Sequence, residues 1–235
     1  MELRERAAYA DWGLSEPDVE KLGIFGDLLL AARSNVTAIR DPHEIELSHF
    51  LDSLSLLDVA EIRGASQIVD VGSGGGLPAV VLALALPASR VTAIDSVAKK
   101  CAFIEEARTR LGLENLRVVC GRAEDVGRTE AREAFDVATA RAVASLAVLA
   151  ELTVPLIRTG GVFVASKAAL SDQERMEGEA ALAILGCDRY DLRRARSFAQ
   201  AENRWLFLAY KDRSTPAQYP RRTGVPAKRP LRAQR

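Results

Sequence analysis

The stretch Gln67–Pro78, QIVDVGSGGGLP, constrains the fold of this chain more than any other part of it. Ile68, Val69 and Val71 read as the end of a buried strand, broken only by Asp70, and LPAVVLALAL from Leu77 to Leu86 begins a helix. Between them Gly72, Ser73, Gly74, Gly75 and Gly76 follow one another with no large side chain. A strand, a glycine turn and a helix let backbone N–H groups and a helix N-terminus close around a nucleotide-like ligand. The spacing narrows that ligand. Dinucleotide sites carry G-x-G-x-x-G, whose third glycine allows tight helix–strand packing; counted from Gly72, that position is Leu77. The pattern that fits is D-x-G-x-G-x-G, over Asp70, Gly72, Gly74 and Gly76. An acid ahead of the turn opposes a pyrophosphate but suits a ligand with positive charge. S-adenosylmethionine (SAM), a sulfonium with an ammonium and an adenosine, needs no phosphate cradle. The bland alternative is a glycine-rich loop with no ligand.

The chain's 235 residues have room for one large α/β domain and a small appendage. The opening MELRERAAYA is charged and lacks the apolar core of a signal peptide. The longest nearly uncharged apolar run, Leu77–Leu86, is too short to cross a bilayer. Cys101, Cys120 and Cys187 are odd in number, far apart and without a C-x-x-C. That usage implies reduced thiols in a cytoplasmic protein, with neither a disulfide frame nor a metal site. No membrane partner is implied, and nothing calls for more than a monomer.

Ser15-Glu16-Pro17-Asp18 reads as a helix start, with Ser15 as N-cap and the helix running to about Ala32. Asp41-Pro42-His43-Glu44 opens a second helix through about Leu57. That helix carries two stripes, Leu47, Phe50, Leu51 and Leu54 on one face and Ile45, His49, Asp52 and Leu56 nearly opposite. A helix apolar on both sides is sandwiched, here between the amino-terminal helix and the sheet domain. His49 and Asp52 then form either a hydrogen-bonded structural pair or part of a cofactor or base pocket.

From Gln67 onward strands and helices alternate, which predicts an α/β, doubly wound, mostly parallel Rossmann-like sheet with a small amino-terminal helical extension. The expected units are residues 1–62, 63–211 and 212–235. The strand Arg90–Ile94 ends in Asp95, placed to accept hydrogen bonds from ribose hydroxyls, with Ser96 beside it. Helix 97–111 stops at Gly112, and the strand Leu116–Cys120 leads to Ala123 and Glu124, where an adenine would lie. The strand Phe135–Ala140 delivers Arg141 to the carboxyl edge of the sheet, facing SAM or a phosphate. A helix over Ser145–Leu156 and a strand Gly160–Lys167 bring Lys167 to the same rim. Ser171–Leu185 is helical and capped by Gly186, and Arg189–Phe198 with Trp205–Tyr210 form a closing hairpin.

The net charge is zero, yet Asp212–Arg235 holds seven Lys or Arg against one Asp. A basic tail on an acidic body is a nucleic-acid footprint. Its prolines and its Arg221, Arg222, Lys228 and Arg229 suit a phosphate backbone, the alternative being a solvated, disordered end. If the tail binds RNA, truncation after Lys211 weakens RNA binding and leaves SAM affinity intact.

Asn35-Val36-Thr37, HFLDSL (His49–Leu54), DVGSGGGLP (Asp70–Pro78), ARAVA (Ala140–Ala144) and YPRRTGVPAKRPL (Tyr219–Leu231) together resemble the RsmG family, also called GidB, of bacterial 16S ribosomal RNA methyltransferases. The resemblance spans about Asn35 to Leu231 and departs from the family pattern at Ala79 and Ala168, where glycine is usual. It implies the class I SAM methyltransferase fold, SAM as cofactor, 16S rRNA or the small ribosomal subunit as partner, and methylation of guanine N7. It carries SAM contacts to Gly72, Leu77, Ala123, Glu124 and Arg141. Asp70, Ser73, Gly74, Gly76, Asp95 and Ser96 complete the expected cofactor set. His49, Arg141, Lys167 and the tail cations Arg221, Arg222, Lys228 and Arg229 form the RNA set.

Methylating an amine or an alcohol requires a positioned base. Guanine N7 offers a lone pair and no proton, so alignment in a dry site suffices, and no residue is assigned as a catalytic base. The chain has no Asn-Pro-Pro-Tyr motif for amine methylation and no Pro-Cys loop for pyrimidine carbon-5. The other readings are a SAM methyltransferase for another RNA, a protein or a small molecule, a nicotinamide oxidoreductase (disfavoured by Leu77), and a SAM- or RNA-binding module without catalysis.

Overall fold

A computed structural model describes residues 1–32, 35–141, 144–167, 169–195 and 204–232. Expectations concerning Ala142, Val143, Ala168 and the strand end at Phe198 lie outside the described residues. The amino-terminal extension begins with α1 (Arg6–Asp11) and α2 (Glu16–Ala31). Ser15 and Asp18 form the capping box of α2 that the sequence announces. Then α3 (Pro42–Ile45) starts at Asp41, whose side chain accepts from the Glu44 N–H at 2.8 Å.

The second helix is not regular. It widens into a π-helical stretch over Glu46–Leu51, returns to α geometry in α4 (Asp52–Leu54) and tightens to a 3₁₀ turn over Ser55–Asp58, before α5 (Ala60–Arg63). Both of its stripes are nevertheless covered: Ile45, Phe50, Leu51, Leu54 and Leu56 are all buried. π segments gather at functional sites, and this one carries His49.

The alternating part follows the expected order: β1 (Gln67–Val71), α6 (Ala79–Ala85), β2 (Arg90–Asp95), α7 (Ala98–Leu111), β3 (Leu116–Cys120), α8 (Ala123–Val126), β4 (Phe135–Arg141), α9 (Leu146–Thr153), β5 (Ile157–Lys167), α10 (Asp172–Leu185), β6 (Cys187–Arg194) and β7 (Trp205–Lys211). The seven strands stand in the order β3-β2-β1-β4-β5-β7-β6. The first five run parallel, while β7 lies antiparallel to both β5 and β6. Ile68 at the centre pairs with Val91 on one side and Val137 on the other. Alternate residues of these strands feed two cores. Ile68, Val91, Val137 and Val164 join α2, the π stretch, α6 and α7 on one face; Val69, Ala138, Phe163 and Phe207 join α9 and α10 on the other.

Residues 212–232 do not form a loose tail. They fold back across α8 and α9, with α11 (Val225–Lys228) as their only helix among the described residues. Leu231 enters the second core and Pro226 is buried. Charge composition marks this segment as basic but does not reveal the partners that await its residues on the body. No helix among the described residues is long and apolar enough to cross a membrane.

Candidate functional site

The parallel strands place their carboxyl ends, and the loops that follow, on one edge of the sheet, where ligands of open α/β sheets bind. At the switch point between β1 and β4 the glycine turn takes the backbone left-handed at Gly72, Gly74 and Gly76, with φ of 77°, 57° and 86°. A side chain at any of the three would be strained. Gly75 is fixed differently: a Cβ there would stand 2.8 Å from the Val36 carbonyl oxygen. Asn35-Val36-Thr37 of the extension is therefore pressed directly onto the turn.

Asp95 ties the turn to the end of β2. Its Oδ2 accepts from Gly74 N at 2.8 Å and its Oδ1 from Val97 N at 2.9 Å. Each carboxylate oxygen keeps a lone pair for a further donor. Around this point lies a cavity of about 290 Å³ lined by Gly72, Asp95, Ser96, Ala123, Glu124 and Leu149, among others. Five residues expected from sequence to meet the nucleoside thus share one cavity. Val97, one of the few large apolar side chains left exposed, stands on its wall.

Asp70 is buried beneath the turn. Thr139 Oγ1 donates to its Oδ1 at 3.0 Å, and its Oδ2 has no hydrogen-bond partner among the described residues. Burial lifts its carboxyl from the ordinary 3.8 to about 6, with the Ser73 and Thr139 hydroxyls and Arg141 pulling the other way. An unfolded chain ionises this group before the folded protein does, so its contribution favours folding in acid and is lost as pH rises through about 6. Asp70→Asn is expected to melt above the parent protein at pH 8 in the absence of ligand, with the gap closing toward pH 4. Thermal melts across that range check it, and a gap independent of pH counts against the burial argument.

Ser73 is not presented to a ligand by its hydroxyl, which donates to the Asp70 carbonyl at 3.0 Å. Its N–H is bound to Ile94 O. It holds the turn. Leu77 is buried and precedes Pro78, the cap of α6, and Ala79 is the first residue of that helix with no exposed surface.

Arg141, at the end of β4, reaches the extension. Its Nη1 donates to Asp52 Oδ2 at 2.9 Å and to Ser48 O at 3.2 Å. Arg204 Nε lies 3.0 Å from the other oxygen of the same buried carboxylate. His49 Nε2 is 2.7 Å from Thr37 Oγ1. Burial first, and Arg141 second, lower the His49 pKa to about 4, so the ring is neutral near pH 7. His49 and Asp52 do not bond to each other, as the structural alternative required; each anchors a different segment of the rim. Arg204 was not singled out from sequence, because only the fold brings it within reach of Asp52.

Two more of the expected RNA contacts also have partners within the fold. Lys167 Nζ donates to Glu174 Oε1 and to the Ala144 carbonyl, both at 2.8 Å. Arg221 grips the fully buried Glu151 through its backbone N (2.7 Å), Nε (2.9 Å) and Nη2 (2.6 Å). Like Arg141 on Asp52, both of these cations are paired with carboxylates of the fold. Arg222, Lys228 and Arg229 are exposed.

The family model described as "rRNA small subunit methyltransferase G" matches residues 18–201. A protein of Desulfitobacterium hafniense named "Ribosomal RNA small subunit methyltransferase G" is 41% identical over 221 residues, covering 93% of this chain and 91% of that one. Its namesake from Deinococcus radiodurans is 42% identical over 239 residues, covering 98% and 92%. Among solved structures, an O-methyltransferase from Bacillus cereus in complex with SAH superposes with a TM-score of 0.53 at 17% identity, covering 84% of this chain and 91% of that chain. The SAM-dependent methyltransferase SibL gives 0.58 at 16% identity, covering 87% and 72%. These likenesses show the fold: the α/β sheet is that of class I SAM methyltransferases.

Proposed function

Because the chain belongs to the rRNA small subunit methyltransferase G family, we propose that it transfers a methyl group from SAM to N7 of one guanine in the 16S rRNA of the small ribosomal subunit. One observation carries the reading: a single cavity joins the left-handed glycine turn, the Asp95 carboxylate and the Ala123–Glu124 edge at the carboxyl end of a parallel sheet. Bound SAM supplies an electrophilic methyl on a sulfonium. The turn leaves room for its amino-acid and ribose portions, Asp95 accepts from the ribose, and Val97 with Ala123 offers apolar surface to adenine. The unpartnered oxygen of Asp70 lends negative charge close to where positive charge must sit.

Acceptor chemistry asks little more of the chain. Guanine N7 brings its own lone pair, so the residues on the rim align the base and keep water out. Arg141, held by Asp52 at the end of β4, is placed to orient the incoming nucleotide, with neutral His49 packed behind it. Arg222, Lys228 and Arg229 supply exposed positive charge for phosphates. In this reading the protein works as a cytoplasmic monomer, residues 1–62 bracing the turn and the sheet domain holding the cofactor.

The test is transfer of label from tritiated SAM to small-subunit RNA from cells lacking the gene, followed by mass mapping of the product. The expected result is one N7-methylated guanine. Label in bulk protein, or at an exocyclic amine, overturns the assignment.

A further inference from the structure

We infer that the segment Thr215–Leu231 is a strap that completes the adenine end of the cofactor cavity, and that Arg221 is its positioning residue. The inference rests on the nucleoside occupying the cavity described above. Ala227, from α11, lines that cavity along with Asp95 and Ser96 and with Val148, Leu149 and Leu152 of α9. Those α9 residues flank Glu151, the carboxylate that Arg221 holds in a fork. Gly224, at φ 80°, turns the chain so that its N–H donates to Glu124 Oε1 at 2.9 Å. Glu124 is almost fully buried, and the strap fixes one of its oxygens at the position expected to meet adenine.

The rest of the strap is bolted down by cations of the body. Arg132 donates to Thr215 O at 2.7 Å and to Tyr219 O at 2.6 Å, and Arg128 donates to Pro220 O at 2.7 Å. Thr223 Oγ1 donates to Asp125 at 2.8 Å. Arg221 Nη2 also closes the strap on itself through Arg229 O at 2.7 Å. A segment held only to present charge to RNA has no need of a guanidinium turned inward on a buried acid. A forked arginine–carboxylate pair fixes geometry in a way that a point charge does not. Truncation after Lys211 therefore removes a cavity wall, and SAM affinity falls along with RNA affinity, against the sequence expectation that it survives.

The experiment measures binding of S-adenosylhomocysteine and S-inosylhomocysteine by calorimetry, in the full-length protein and in Arg221→Ala. The two ligands differ only along the N1–C6 edge of the purine, where an amine beside an N1 acceptor becomes a carbonyl beside an N1–H donor. Arg221→Ala is expected to lose at least tenfold in S-adenosylhomocysteine affinity and to narrow the preference between the two ligands. The salt slope of its RNA binding should stay that of the parent. Because the variant leaves Glu151 buried without its partner, the double variant Arg221→Leu with Glu151→Leu is measured alongside it. Replacing both charges with apolar groups keeps a buried contact but removes the acceptor of the Arg221 backbone N–H, and the nucleoside affinity is expected to recover part of the way to the parent. Unchanged affinity and preference in Arg221→Ala overturn the strap, as does a loss confined to RNA binding or a folded double variant that recovers nothing. Asp95→Ala separates the two levels: if it loses the nucleoside and Arg221→Ala does not, the strap alone fails. If neither variant loses it, the placement of the nucleoside fails as well.

Discussion

Lys211→Ala is expected to lower the unfolding free energy by about 3–5 kcal/mol, a large part of the margin of an ordinary domain. Lys211 ends β7 with no exposed surface. Its ammonium donates to Glu133 Oε1 at 2.8 Å, Val154 O at 3.0 Å and Ile157 O at 2.6 Å. Three donors meet three acceptors, so nothing on the ammonium is left unpaired. Burial pulls the Lys211 pKa down and the Glu133 carboxylate pushes it back up. Alanine would leave two buried carbonyls without donors and create a void between β7 and the start of β5. Lys211→Met fills the void and should cost less. The cluster lies where β4 and β5 begin, at the opposite edge of the sheet from the cavity, so cofactor affinity of the folded variants should match the parent. Urea denaturation with calorimetry on the same samples checks both statements; a loss below about 1 kcal/mol in both variants would contradict the first.

Asp95→Ala is expected to weaken SAM or S-adenosylhomocysteine binding about 100-fold, near 3 kcal/mol. The reasoning combines two losses. The carboxylate accepts the Gly74 and Val97 N–H groups, and hydrogen bonds to a charged acceptor contribute about 1.5–3 kcal/mol each. Without them the turn loses its tie to β2, besides the ribose contact proposed for the same side chain. Asp95→Asn retains one carbonyl oxygen and should fall between the two, near tenfold. Calorimetric titration decides, and an alanine variant within threefold of the parent would remove Asp95 from the site.

The glycine turn, Asp95 and the Ala123–Glu124 edge were legible in the sequence because each is local. A strand ending in small residues, an acid at a strand's carboxyl end and the turn after the next strand keep fixed relations in any sheet of this kind. Helix limits were legible for the same reason: Ser15, Gly112 and Gly186 act on backbone groups within a few residues of themselves. The π stretch over Glu46–Leu51 was not, since the packing of both helix faces sets it and no single residue type marks it. Asp52 read as one member of a pair with His49, yet its partners are Arg141 and Arg204, far along the chain.

The sequence by itself determined the strand–turn–helix, the alternation of strands and helices in a mostly parallel sheet and the kind of nucleoside that fits beside it. These follow from steric limits on the backbone and from hydrophobic period, which act over a few residues at a time. Only the tertiary structure decided which cations face outward. Arg221 and Lys167 look like Arg222 and Lys228 in a string of letters, but the first two are held by Glu151 and Glu174. Whether a charge is available depends on the acid that folding brings to it, and in the case of Arg221 that acid is 70 residues away.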